Sequence, residues 1–185
     1  TNNKMIQNER EIRHEHVLIA VRQMMTAART APKGKGIDII EMAMVTGEDI
    51  HQLSEEMLKV AAETGLKFFL RDADNILSAE AVVILGTGQQ VQGLNCAHCG
   101  FDTCVEKPAT VPCTINSVDL GIAIGSACAT ASDLRLDTRV MFSAGLAAQR
   151  LGWLGEESKC VMAIPVSASS KNPFFDRKPK EQPVK

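Results

Sequence analysis

Four of the chain's six cysteines fall within eighteen residues: Cys96, Cys99, Cys104 and Cys113, spaced C-x2-C-x4-C-x8-C. Free cysteine ordinarily prefers to be buried singly, so thiols gathered on one polar stretch ask for a common partner. The chain begins with a polar, charged run, Thr1 to Arg13, that has no apolar signal-peptide core. The expected setting is therefore soluble and cytoplasmic, where clustered cysteines bind metal or do redox work rather than form structural disulfides. A C-x2-C pair lets two thiolates converge from one tight turn. Gly100, directly after Cys99, frees the backbone to take a positive φ there. Amide N–H groups can then be aimed at sulfur, which stabilises thiolate charge and tunes potential.

Three readings of the cluster stay open at this point. An iron–sulfur cluster needs thiolates only, and four are present. Zinc also accepts four cysteines, but most often as two short knuckles, and here only the first pair has that form. The third reading is four unrelated thiols in a loop. His98, inside the motif, is expected to be solvated rather than a ligand. Cys128 and Cys160 lie apart and are expected to be buried and inert.

The rest of the composition narrows the function classes. The formal net charge is -2, charged residues make up 23%, Tyr is absent and there is one Trp. Nothing in this balance calls for nucleic acid or for a single-strand stacking surface. The apolar run Val118 to Ala131 is too short to span a bilayer and is edged by Asp119 and Asp133.

Hydrophobic spacing organises the chain into one domain, 1–185, with no internal repeat and no linker. Val17, Ala20, Val21, Met24, Met25 and Ala28 predict an amphipathic helix over 8–30, stopped at Pro32. Ile37 to Val45 predicts a buried strand. Thr46 is the expected N-cap of a helix that runs to about Glu63 and ends at Gly65. Residues 67–78 are ambiguous. Ala81 to Leu85 is a short continuous apolar run, the pattern of a central strand. Residues 86–113 lack periodicity, and an aperiodic stretch of that length inside a compact domain is usually functional. A helix follows over about 116–134, with Gly121, Gly125 and Ala129 making a smooth face for either a core neighbour or a second subunit. A short helix closes at Gly152, a last strand spans 159–166, and the tail 167–185 is polar and basic. Gly86-Thr87-Gly88 lacks the third glycine of a dinucleotide fingerprint.

Cys96-x2-Cys99-Gly100-x3-Cys104 with a later Cys resembles ferredoxin-type domains that bind a [4Fe–4S] cluster. Ala27-Ala28-Arg29-Thr30-Ala31-Pro32, the helix Asp119 to Leu136, Ala147 to Gly155, and the last strand through Asn172-Pro173-Phe174-Phe175-Asp176-Arg177 resemble the FMN-dependent nitroreductase fold. The combination is similar to a family of uncharacterised ferredoxin-domain proteins. The resemblance implies an α+β fold: a nitroreductase-like three-layer sandwich, with a mixed central sheet flanked by helices and a cysteine-rich insertion at 86–113. It implies a homodimer with flavin mononucleotide (FMN) at the interface, a redox partner protein, and cluster ligation by the four clustered cysteines. Family members usually follow Ala-Pro with Ser, Asn and Gln; here Lys33, Gly36 and Asp38 stand at those positions. Arg29, Lys33, Lys35 and Arg177 are then the cations left to hold the flavin phosphate. The activity implied is flavin-dependent reduction or electron transfer. The alternative is a zinc-stabilised binding or scaffold protein on the same fold.

Overall fold

Every residue of the segment Ala81–Thr87 is buried, and the rest of the chain is layered around it. The computed structural model describes residues 6–175. Its strands are β1 (Ile40–Val45), β2 (Ala81–Thr87), β3 (Asp137–Thr138) and β4 (Lys159–Ser167), in the sheet order β1-β2-β4-β3. Its α-helices are α1 (Glu9–Thr30), α2 (Glu48–Thr64), α3 (Phe68–Ile76), α4 (Thr114–Asp133) and α5 (Phe142–Arg150). Because strand side chains alternate, β2 sends Val82 and Ile84 to one face and Ala81, Val83 and Leu85 to the other. The first face packs on Leu53, Met57 and Val60 of α2, Phe69 and Ile76 of α3, and Ala144 of α5. The second packs on Val17, Val21 and Met24 of α1 and on Leu120 and Ala127 of α4. The sandwich therefore has three layers, and burial on both faces is why β2 reads as unbroken apolar sequence.

The expected sheet was mixed, but every pairing among the described strands is antiparallel. Two helices, α2 and α3, connect β1 to β2. Two crossings return the chain to the end of the sheet it left, so β2 must run back along β1. A parallel pair would need an odd number of crossings.

Several local expectations shift. β1 starts at Ile40 rather than Ile37, because Asp38 Oδ1 accepts the Ile40 N–H at 3.1 Å and turns the preceding residues off the sheet. The N-cap of α2 is Gly47 at φ 58°, not Thr46. The ambiguous 67–78 stretch is largely the helix α3. Gly121, Gly125 and Ala129 lie on the outward side of α4, exposed in the single chain. A methyl group added at Gly121 or Gly125 would meet nothing within 4 Å. Gly145 is the opposite case: a Cβ there would lie 2.1 Å from the Val161 carbonyl oxygen, so α5 rests directly on the β4 backbone.

Cys160 corrects the sequence expectation of a buried thiol, for it is exposed. Between Leu85 opposite Met162 and Thr87 opposite Lys159, β4 carries one residue more than β2. The bulge puts Cys160 at φ 51° and turns its side chain off the core. Cys128 is half-buried rather than buried, packed against the α1/α4 core, and burial pushes its thiol pKa up, partly offset by Thr138. Among the described residues, no helix is long and apolar enough to cross a membrane.

Candidate metal centre

The segment between β2 and α4 is anchored at both ends before it reaches its cysteines. Where it leaves the sheet, the Gly88 N–H donates to the Ile39 carbonyl at 3.0 Å. Asn116, in the first turn of α4, then donates through Nδ2 to the carbonyls of Gly88 at 3.2 Å and Gln90 at 2.8 Å. Its Oδ1 accepts Gln92 Nε2 at 3.0 Å. Gln92 is buried, its carbonyl accepts Lys35 Nζ at 3.0 Å, and its Oε1 has no hydrogen-bond partner.

Beyond Gln92 the backbone reverses repeatedly, with positive φ at Gly93 (69°), Asn95 (46°), Ala97 (56°) and Gly100 (88°). Asn95 tolerates this region better than most residues because its short side chain bonds locally. That side chain accepts the Cys104 N–H at 2.8 Å, while the Asn95 N–H donates to Cys104 Sγ at 3.4 Å. These two bonds close a loop containing Cys96 and Cys99. Within it, Gly100 N donates to the Ala97 carbonyl at 2.9 Å, the turn expected of a glycine after the C-x2-C pair. His98 is exposed, its Nδ1 2.8 Å from the Cys96 carbonyl oxygen. It bonds to backbone, not to a thiol.

Cys113 is buried and is the N-cap of α4. It makes no conventional capping hydrogen bond. Its thiol instead feels the peptide N–H groups of Asn116, Gln92 and Ile115 and the Lys107 charge. Burial pushes the thiol pKa up, but those N–H groups and the Lys107 charge outweigh it, and the net direction is down. A helix N-terminus carries partial positive charge, so the thiolate is the form this position favours. Lys107 is itself buried, with Nζ donating to the carbonyls of Pro108 and Val111.

All six cysteines are free thiols. Cys96, Cys99 and Cys104 are half-buried on the loop, and Cys113 is buried beside it. Among the described residues, no three His, Cys, Asp or Glu side chains are gathered as a ready-made site for a metal ion. The fit to a cluster lies in the donor set: four thiols from one loop, with the Asn95 N–H already on the sulfur of Cys104.

The cations expected to hold a flavin phosphate have protein acceptors. Arg29 Nη1 donates to Asp38 Oδ2 at 2.8 Å and to the Ile40 carbonyl at 2.7 Å. Lys33 Nζ is turned inward onto the Ala28 carbonyl at 2.8 Å and the Arg29 carbonyl, and lies 3.7 Å from Asp38 Oδ2. Lys35 reaches Gln92, and Arg177 lies outside the described residues. Sequence reasoning did not single out Asn95, Gln92, Asn116 or Lys107. Their signal was position: Asn95 precedes the first cysteine, and Asn116 stands three residues after the last. An apolar cavity of about 500 Å³ opens beside α4, lined by Leu120, Gly121, Ile124, Phe142, Cys160 and Met162 among others.

Against known proteins, a family described as uncharacterized proteins containing a ferredoxin domain matches residues 109–177. An uncharacterized protein of Archaeoglobus fulgidus is 40% identical over 187 residues, covering 96% of this chain and 100% of the relative. The chain belongs to this ferredoxin-domain family. Of the four clustered cysteines, only Cys113 falls inside the segment matched by the family profile. Solved structures place the fold. A nitroreductase with bound FMN from Desulfitobacterium hafniense superimposes with a TM-score of 0.57 at 16% identity, covering 100% of this chain and 90% of that one. A nitroreductase with bound FMN from Bacteroides fragilis gives 0.56 at 14% identity, covering 90% and 86%. The ferredoxin-domain chain is thus built on the nitroreductase fold, as its α+β three-layer arrangement also shows.

Proposed function

We propose that this chain is a redox protein that holds a [4Fe–4S] cluster on Cys96, Cys99, Cys104 and Cys113. The observation that carries the reading is Cys113: a buried sulfur at the N-terminus of a 20-residue helix, its thiol pKa lowered by nearby peptide N–H groups and the Lys107 charge. Such a position lowers the cost of a buried thiolate, which a cluster ligand must be. The cluster, when bound, supplies one-electron transfer. The protein's share is positional. Asn95 closes the loop of Cys96 and Cys99 onto Cys104, and Asn116 ties the loop's start to the helix that carries Cys113.

Two further elements belong to the proposal. FMN, bound in the apolar cavity beside α4, would exchange electrons with the cluster; the cavity is within the size range of small-molecule sites. Arg29, with its side chain 47% exposed, is more open to an added anionic contact than Lys33, whose side chain is 5% exposed, although neither lines that cavity. The outward face of Gly121 and Gly125, with Val118 and Ile122 exposed beside it, would meet the same face of a second copy. Electrons would reach this centre from a partner protein.

Anaerobic purification tests the reading. A brown protein with iron and sulfide at about four each per chain supports it. A colourless protein with about one zinc per chain replaces it with a zinc-stabilised scaffold. Yellow colour released on denaturation establishes flavin, and a colourless supernatant after reconstitution with FMN removes that element. A monomer by light scattering removes the interface.

A further inference from the structure

Two arginines sit where the local backbone disfavours them, and both line the same cavity. Arg135 follows the C-terminus of α4 at φ 62°, in the left-handed turn where the Leu136 N–H returns to the Ala131 carbonyl at 2.9 Å. Glycine is the usual residue there, because a Cβ is strained at that φ. Helix α2 follows the usual pattern and ends on Gly65 at φ 71°. Arg10 lies in the first turn of α1, where the helix dipole favours anions over cations. Departures from local preference are expected where function requires them, and these two converge.

They meet at a cavity of about 490 Å³ between the start of α1, the end of α4 and the segment after β4. Glu9, Arg10, Arg13, Arg135, Ser169 and Ser170 line it. Arg13 is committed to Glu9, with Nε and Nη2 each donating to a carboxylate oxygen at 2.7 Å. Arg10 and Arg135 are exposed, and among the described residues neither guanidinium has a hydrogen-bond or ion-pair partner. We propose that this cavity binds a small phosphate ester, with the dianionic phosphoryl group held between Arg10 and Arg135. Two guanidinium groups match the two charges of a phosphomonoester, and their planar forks suit its oxygens. The volume leaves space for an organic part beyond the phosphate. Gly121, on the wall of the apolar cavity, and Arg135 are fourteen residues apart along α4, about 20 Å at the helical rise. The site is therefore separate from that cavity, and it needs neither the cluster nor a flavin.

The test is a nuclear magnetic resonance titration of the isotope-labelled full chain with ribose 5-phosphate at constant ionic strength, with ribose as the uncharged control. Ribose 5-phosphate should shift the amides of Arg10, Ser169 and Ser170 saturably at one site per chain, and ribose should not. Arg10→Gln and Arg135→Gly should each weaken binding by about tenfold, the loss of one charge-assisted contact. Arg135→Gly should melt no lower than wild type, since it also relieves the positive φ. Arg22→Gln, which removes the same charge from an exposed position of α1, should bind within about twofold of wild type. No saturable shift, an Arg135→Gly chain that binds as wild type does, or an equal loss in Arg22→Gln overturns the site. A chain loaded with one FMN should still take up ribose 5-phosphate. Loss of the amide shifts on that loading would assign the arginines to the flavin and overturn a separate ligand.

Discussion

Asp119 and Gly34 meet through two hydrogen bonds to a single peptide N–H, at 3.0 and 2.9 Å, and both residues stand beside the helix turn that carries Cys113. The carboxylate is buried, so its water has been exchanged for this contact. Replacing Asp119 by Ala leaves the Gly34 N–H without its acceptor. Hydrogen bonds to charged groups contribute about 2 kcal/mol each at most sites. Asp119→Ala should lower unfolding free energy by about that amount in urea denaturation, with an unchanged m-value. A variant as stable as wild type would show that the turn is held by other contacts.

Cysteine variants separate ligands from bystanders. Cys99→Ser and Cys113→Ser should each lower iron content after anaerobic reconstitution, whereas Cys160→Ser should not, since Cys160 is exposed on a bulge of β4. Equal iron in Cys99→Ser and Cys160→Ser would refute the assignment.

Asp38 gives the fold an acid-sensitive increment. Burial raises its pKa, but the Arg29 hydrogen bond, the Ile40 N–H and the charges of Arg29 and Lys33 outweigh burial and hold it below the ordinary 3.8. A carboxyl whose folded pKa is depressed contributes stability that is full above its unfolded value and fades as pH falls through the folded one. Below about pH 3.8, wild type should therefore lose stability more steeply than Asp38→Asn, as read from melting temperature against pH. Parallel curves would refute this.

Gly145→Ala probes the contact between α5 and β4. The added methyl would sit 2.1 Å from the Val161 oxygen and 2.5 Å from Met162 Cα, both backbone atoms that no side-chain rotation can move. The cost should reach at least about 3 kcal/mol, visible as a large fall in melting temperature or as insoluble protein. Gly121→Ala, where nothing lies within 4 Å, is the control and should fold normally.

Much of the scaffold was legible because its signals are local. The 3.6-residue spacing of Val17, Ala20, Val21, Met24, Met25 and Ala28 marks α1; Val17, Val21, Met24 and Ala28 are buried, and Ala20 and Met25 are half-buried at the edge of that face. The unbroken apolar run of β2 marks a strand covered on both sides, and it is. Residues 67–78 were harder. Phe69, Asp72, Ala73 and Ile76 have helical spacing, but Asp72 is a buried carboxylate, accepted there because Arg71 pairs with its Oδ1 at 2.8 Å and Ser143 of α5 donates to its Oδ2 at 2.6 Å. A polar residue on an apolar face obscures the period, and one of its two partners is 71 residues away. Cys160 misled for a similar reason: the bulge that exposes it arises from pairing with β2.

The sequence by itself determined α1, α2, α4 and α5, the central strand and the presence of four thiols in one aperiodic loop, because periodicity and spacing are properties of neighbouring residues. Only the tertiary structure decided that the sheet runs antiparallel, that Arg29 and Lys33 turn to Asp38, and that Lys35 and Asn116 meet at Gln92 beside Cys113. Those outcomes depend on which distant groups are left buried and unpaired when the layers close, and no local pattern records that.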